Sequence, residues 1–304
     1  MTLKYAELLK SLGNSVEYVE IGQIPKKDKY DQGFAFILPI QNQLQAVDFY
    51  TSLCTKMMYM TVCETEPVNA AYALLVKYKT IWCPSEFARS TLAKQFPFCE
   101  WKLLHHWSEP KVHRPPPNSG PYTFYTIGNI MDPRKNIRGL IDAYLRCEFR
   151  DTAHLVLKAT CRQPVDWKVP GVTVINELLT DSELEKVHTN GHCYVNCSHS
   201  EGVGMGAVEA ALRDKPVIIT DYGGLKEYVK TPWVVKCSVG PIGFDDFMFK
   251  KDHTWGHPSG EDLQKHMLDC YSKRASFWDH AHTHDLMLSL RQSMEAGSYS
   301  VDSD

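Results

Sequence analysis

The sequence predicts an α/β protein whose parallel, doubly wound sheets are divided between two domains. Three observations predict it. The 304 residues are too many for one ordinary core and suit two of about 150 residues each. Strand-like apolar runs alternate with helical segments, the pattern of a parallel sheet with crossover helices. That alternation breaks once, at PKVHRPPPNSGP (110–121), where five prolines make a stiff, extended linker.

The elements follow in order. MTLKYAELLKSLG has a helical period and internal charges, so it reads as a helix and not as a secretion signal. Residues 15–21 alternate as a strand, and 33–40 form a denser apolar one. A helix is expected over 43–53. A strand over 56–63 stops at Glu64-Thr65-Glu66-Pro67, where proline ends the ladder. Another strand spans 78–83, closed by Pro84. Ser85 then caps a helix running to about residue 95, and 101–105 is a short strand. Beyond the linker the pattern restarts: strands at 122–127, 154–158 and 172–175, and helices over 136–145 and 181–188. Helices over 261–272 and 278–293 precede the tail GSYSVDSD, expected to fray. The expected domains are 1–112 and 122–270, with 271–304 a C-terminal helix and tail.

Composition narrows the function. The chain is 43% hydrophobic and 23% charged, with net charge -3 and a pI near 6.5. No global basic field draws it to nucleic acid or anionic lipid. No apolar run approaches the ~20 residues that span a bilayer. The ten cysteines are scattered without a CxxC pair, which suits reduced thiols in a cytoplasmic protein. His192, Cys193, Cys197 and His199 cluster, but the second pair of a zinc site is missing. Cys193, Val195 and Cys197 would share one strand face and pack in the core.

The most informative stretch is CYVNCSHSEGVGMGAVEAALRDKPVIITDYGGLKEY (193–228). It reads as strand, glycine-rich turn, helix, strand and glycine turn. Glu201 and Glu209 bracket the first turn, a spacing that is weak by itself. Gly202, Gly204 and Gly206 let backbone approach a ligand, and the following helix start can hold an anion. Open α/β sheets bind ligands beyond the carboxyl ends of their strands. Three loops of the second domain fall there, at 128–136, 197–205 and 221–225. Within GNIMDPRKN, Arg134 and Lys135 precede a helix start, an arrangement suited to a diphosphate. Glu209, further along its helix, could accept both hydroxyls of a ribose.

This segment resembles the donor-binding segment of GT-B glycosyltransferases, most closely the retaining enzymes of glycosyltransferase family 4 (glycosyltransferase group 1). The resemblance covers about 56–270. It implies two Rossmann-like domains facing across a cleft, and transfer of a sugar from a UDP- or GDP-linked donor to an acceptor hydroxyl with retention. It implies no cofactor beyond that donor. By the family pattern Gly128 and Asn129 form the phosphate-side turn, Lys135 holds the diphosphate and Arg134 assists. Asn129 stands where the family often has arginine. Gly202 and the N–H groups of Val203, Gly204 and Met205 line sugar and phosphate. Glu209 holds the ribose and Glu201 contacts the sugar. Gly206 replaces a common proline, so a looser turn is expected. CETEP (63–67) and CPSEF (83–87) echo a subset of the family, in which Glu64 would end a strand at the cleft and contact acceptor or sugar. Trp255 and Pro258 echo a further segment of that subset and read as packing. His105 and His106 read as core or linker residues.

Within the expected elements and the loops joining them no Asp-x-Asp dyad occurs, in keeping with a metal-independent enzyme. The implied acceptors are a glycan, a lipid-linked molecule or a protein. Two other readings compete. A transferase for modified DNA bases would need a basic track, which the balanced charge does not supply. The presence of Glu201, Lys135 and Glu209 together argues against the second, a sugar-nucleotide binder without catalysis.

Overall fold

The computed structural model describes residues 2–117, 119–161 and 163–296; the tail expected to fray lies outside them. The chain divides into two compact units. The first comprises Met1–Glu109, Pro241–Thr254 and the chain from Asp285; the second comprises Pro110–Gly240 and Trp255–His284.

The first unit opens with α1 (Thr2–Ser11) and carries four parallel strands in the order β1-β2-β3-β4. These are β1 (Tyr30–Phe36), β2 (Cys54–Met60), β3 (Thr80–Cys83) and β4 (Glu100–Leu103). They are joined through α2 (Gln41–Ser52), a 3₁₀ helix at Ala70–Tyr78 and α3 (Glu86–Gln95). Ser85 caps α3 as expected, its side chain accepting from the Ala88 N–H. Apolar residues of these connections (Leu44, Val47, Leu75, Leu92) share one core with Ile81 and Trp101 of the strands. Tyr5 of α1 packs on Phe34, centroids 4.9 Å apart, and against the edge of the buried His106 ring, so His106 is a core residue.

Two expectations change here. Residues 15–21 form no strand; the side chain of Glu17 instead accepts from the Tyr30 hydroxyl and the Lys26 N–H, so local side-chain bonds replace a ladder. Residues 241–254, expected in the second domain, belong to the first unit. Glu66 and Thr254 exchange backbone hydrogen bonds of 3.1 and 2.8 Å, Asn69 donates to the Met248 carbonyl, and Met248 packs on the first unit's core. At the other end of the chain, Met287 and Leu290 are buried, and the Ser108 N–H contacts the Met287 sulfur.

The second unit holds a six-stranded sheet in the order β10-β9-β8-β5-β6-β7, with parallel pairings. Its strands are β5 (Tyr122–Gly128), β6 (Ala153–Ala159), β7 (Val172–Ile175), β8 (Cys193–Asn196), β9 (Val217–Thr220) and β10 (Val234–Val235). The chain winds outward from β5 through β6 to β7, returns to β8 beside β5, and winds the other way. This is the doubly wound Rossmann order, and its reversal lies between β5 and β8. A core cluster of α4 (Ile137–Arg146) and α8 (Gly260–Ser272) covers one face and includes Cys193, Val195 and Cys197, so those cysteines pack as the alternation predicts. α5 (Asp181–Asn190), α6 (Met205–Ala211) and α7 (Leu225–Tyr228) complete the windings; β11 (Cys237–Pro241) and β12 (Thr254–Pro258) pair, and α9 (Ala281–Glu295) follows. Thr180 caps α5 through a capping box with Glu183. Among the described residues no helix is long and apolar enough to cross a membrane.

One glycine departs from expectation. Gly206 does not loosen a turn: it is the second residue of α6, and a Cβ there would lie 2.2 Å from the Tyr194 hydroxyl and 3.2 Å from the Ile127 carbonyl. The missing side chain lets the helix start approach the end of β5. Gly206→Ala should therefore destabilise the protein by about 1–3 kcal/mol, read as a lower urea midpoint, although alanine is the better helix former.

Candidate functional site at the reversal of the second sheet

The loops that follow β5 and β8 meet around one carboxylate. After β5 the chain turns at Gly128 and Asn129, whose side-chain oxygen accepts from the Met131 N–H at 3.2 Å. Asp132 caps the 3₁₀ turn Pro133–Lys135 by accepting from the Arg134 N–H. Asn136 then takes a left-handed conformation, φ 51°, which asparagine tolerates better than most residues, and α4 begins. The short turn presents Arg134 and Lys135 together. The stem of Lys135 passes over Gly128, where an added Cβ would come within 3.7 Å of it.

After β8 the chain delivers Glu201 beneath those cations. Lys135 Nζ donates to Glu201 Oε1 at 2.5 Å and Arg134 Nη1 to Oε2 at 2.9 Å. Oε1 also accepts from Ser198 Oγ at 2.7 Å and from Asn196 Nδ2 at 3.3 Å. Arg134 Nη1 donates as well to the Ser200 carbonyl, at 2.7 Å, and Nη2 lies 3.3 Å from Asp132. The backbone is tied on the other side, where the Gly224 N–H donates to the Glu201 carbonyl at 2.8 Å. Gly223, at φ 80°, has no room for a Cβ, which would stand 2.7 Å from that same carbonyl oxygen. Burial pushes the Glu201 carboxyl upward, but the charges of Lys135 and Arg134 outweigh it, and with the bonds from Lys135 and Ser198 they hold it well below the usual carboxylate range.

The other expected residues lie elsewhere along the chain. Gly202, Val203 and Gly204 are buried and lead into α6, with Gly204 left-handed at its cap, φ 73°, and Met205 partly exposed. Glu209 stands in the middle of α6, and its Oε2 lies 3.9 Å from His188 Nε2. Both carboxylates lie near Tyr194. Burial, joined by the charges of Glu201 and Glu209, pushes that hydroxyl well up, against bonds from Ile127 and Thr126. Glu64 belongs to the first unit, just past the end of β2, and follows the buried Cys63. Trp255 is buried packing, as expected, and it stacks on the His199 ring, centroids 4.6 Å apart and 6° from parallel. The backbone N–H of His199 donates to the Arg134 carbonyl at 2.8 Å.

Asn196, Ser198 and Asp132 complete the cluster, and sequence reasoning did not single them out. Ser198 and Asn196 were visible only as the residues preceding the glycines; their role depends on the carboxylate folding back onto its own strand end.

Residues 121–240 match the family model described as Glycosyl transferases group 1. The matched stretch lies within the second unit. No curated protein matches the chain. Among solved structures, the α,α-trehalose 6-phosphate synthase of Burkholderia multivorans aligns with 90% of this chain and 71% of its own at 10% identity, TM-score 0.60. TarM aligns with 88% of this chain at 13% identity, TM-score 0.54. The chain spans about half the length of TarM, 52%. The pneumococcal O-GlcNAc transferase GtfA, in complex with UDP and GlcNAc, aligns with 86% of this chain and 55% of its own at 12% identity, TM-score 0.52. At such identities the likeness is one of fold, and the fold is GT-B, with two Rossmann-like domains. The Glu201 cluster lies within the matched residues 121–240.

The cluster carries a stability consequence. Unfolded, Glu201 titrates at its ordinary value near 4.5; folded, it titrates lower. Below pH 4.5 the unfolded chain takes up a proton that the folded chain refuses, so Glu201's contribution is present above that pH and is lost as pH falls through the folded pKa. Glu201→Gln leaves two cations on a neutral partner and should cost on the order of 3 kcal/mol at pH 7. Urea titrations from pH 7 to pH 3 should show that deficit narrowing in acid. A constant deficit across the range would mean the carboxylate does not carry its charge in the cluster.

Proposed function

We propose that the protein is a retaining glycosyltransferase, which moves a sugar from a nucleoside diphosphate sugar to an acceptor hydroxyl without a divalent metal. The observation that carries this reading is the pair of cations held by one buried carboxylate at the sheet reversal, within the matched residues 121–240. The donor is UDP- or GDP-linked, and the acceptor is a glycan, a lipid-linked molecule or a protein.

Lys135 and Arg134 receive the diphosphate. An ammonium has three donors and one is engaged by Glu201, so Lys135 can hold the carboxylate and a phosphate oxygen together. Lys135 and Arg134 hold positive charge in place where the leaving diphosphate builds up negative charge. No metal is needed for that neutralisation. Gly128, Asn129, Gly202 and the N–H groups of Val203, Gly204 and Met205 line the path of phosphate and sugar. Glu209 takes the ribose hydroxyls, and Glu201 places its charge beside the sugar while it anchors the cations. The bond from the anomeric carbon to the phosphate oxygen breaks as the acceptor oxygen bonds to that carbon on the same face. The acceptor's proton passes to the departing phosphate. No protein nucleophile enters this route. The solved complexes of GtfA with UDP and GlcNAc, and of a TarM mutant with UDP, support the choice of donor class.

Calorimetry with UDP and GDP tests the placement. Lys135→Ala should lose about 1.5–3 kcal/mol of binding, more than Arg134→Ala, whose guanidinium is largely engaged by Glu201, Ser200 and Asp132. Unchanged affinity in the lysine variant would refute the placement. Turnover should survive EDTA and give a product with the donor's anomeric configuration; an inverted product rejects the retaining route.

A further inference from the structure

Tyr125, His188 and Glu209 form a line inside the second unit, separate from the cation cluster. His188 lies on α5 and is fully buried. Its ring meets Tyr125 edge-on, centroids 5.5 Å apart at 87°, and Nδ1 is 3.1 Å from the Tyr125 hydroxyl. Nε2 is buried with no hydrogen-bond partner among the described residues, and Glu209 Oε2 stands 3.9 Å from it.

The ring proton of His188 sits on Nε2 for two reasons. The Tyr125 hydroxyl is fully buried, and a hydroxyl in that position donates to the acceptor it has, which is Nδ1. A neutral ring that accepts at Nδ1 carries its proton on Nε2. The opposite tautomer would turn the Nε2 lone pair toward a carboxylate, which is repulsive. His188 is neutral near pH 7. Burial lowers its pKa from 6.5, and the Arg213 charge adds to that, against the contact with Glu209 and the charges of Glu209 and Glu185. The Nε2–H is thus a buried donor that lacks a partner and faces a carboxylate just beyond bonding distance, and such groups are costly unless satisfied.

We propose that His188 is a positioning residue for the donor's ribose. Its Nε2–H, set by Tyr125, closes onto Glu209 Oε2 and fixes the carboxylate in the orientation that accepts the two ribose hydroxyls. A shift of about 1 Å makes the bond. Glutamate on a helix has several rotamers, and a diol needs both carboxylate oxygens in one plane at one place, so a hydrogen bond that fixes the carboxylate sets how it meets the ligand. The proposal rests on Glu209 as the ribose ligand.

The test uses the full chain, UDP and 2′,3′-dideoxy-UDP (or the GDP pair, if GDP binds tighter), and calorimetry. His188→Asn keeps an acceptor near Tyr125 but is too short to reach Glu209; His188→Gln restores an N–H at about the position of Nε2. The asparagine variant should weaken binding of the ribose-bearing ligand about tenfold, the scale of one charge-assisted hydrogen bond, and leave the dideoxy ligand unchanged. The glutamine variant should recover most of the loss. The variant carrying both His188→Asn and Glu209→Ala should bind no more weakly than Glu209→Ala alone. In turnover assays His188→Asn should raise the donor KM with kcat nearly unchanged. Equal losses for both ligands, or additive losses in the double variant, would overturn the positioning role while leaving Glu209 in place. If Glu209→Ala itself binds the ribose-bearing ligand normally, the ribose assignment fails and this proposal with it.

Discussion

One buried negative charge organises the second unit. The Glu201 carboxylate sits where the sheet reverses direction, and a bare charge there would be untenable. Lys135, Arg134, Ser198 and Asn196 all point at it, and each brings a piece of chain with it. Lys135 and Arg134 fix the loop after β5, Ser198 and Asn196 fix the end of β8, and the Gly224 N–H draws in the turn after β9. Three loops that are distant in sequence are thereby held around one point. Ion pairs of this kind seldom add much net stability over an apolar replacement. What this one adds is position: two cations kept at a fixed place at the carboxyl edge of a parallel sheet.

The backbone must comply with that arrangement, and the glycines show where. Gly223 lies so close to the Glu201 carbonyl that a side chain would collide with it, and Gly206 brings α6 against Tyr194 and the end of β5. Tyr194 is the hinge of this contact, since its hydroxyl both donates to the Ile127 carbonyl and accepts from the Ile127 N–H, at 3.1 and 3.2 Å. The reversal point is therefore rigid from β5 across to α6. A rigid rim with preset charges lowers the reorganisation needed when charge develops on a ligand, which links the packing of the strand ends to the proposed chemistry.

Much of this was legible in the sequence, and the exceptions have physical reasons. The strands at 122–128, 153–159, 172–175 and 217–220 stand out because apolar runs are bounded by Gly, Pro or capping residues, and those signals are local. Residues 15–21 alternate just as convincingly, but alternation without a partner strand makes no ladder, and Glu17 satisfies its surroundings through side-chain bonds. The assignment of 241–254 turned on a backbone pairing between Glu66 and Thr254 that no local pattern encodes. In the site, Lys135, Arg134, Glu201 and Glu209 were recognisable from motif. That Glu201 is the partner of Lys135, 66 residues away, follows only from β5 lying beside β8. His188 was invisible for a similar reason: its neighbours Tyr125 and Glu209 come from a strand and a helix that meet only in the fold.

The central claim is that the cations on Glu201 form the seat of a donor diphosphate. A crystal structure of the protein soaked with a nucleoside diphosphate tests it most directly. The account predicts phosphate oxygens within about 3 Å of Lys135 Nζ, a charge-assisted bonding distance, with the ribose toward Glu209 and the Glu201 bonds to the cations preserved. A nucleotide bound elsewhere, with the cation cluster unchanged and free of phosphate, would contradict it.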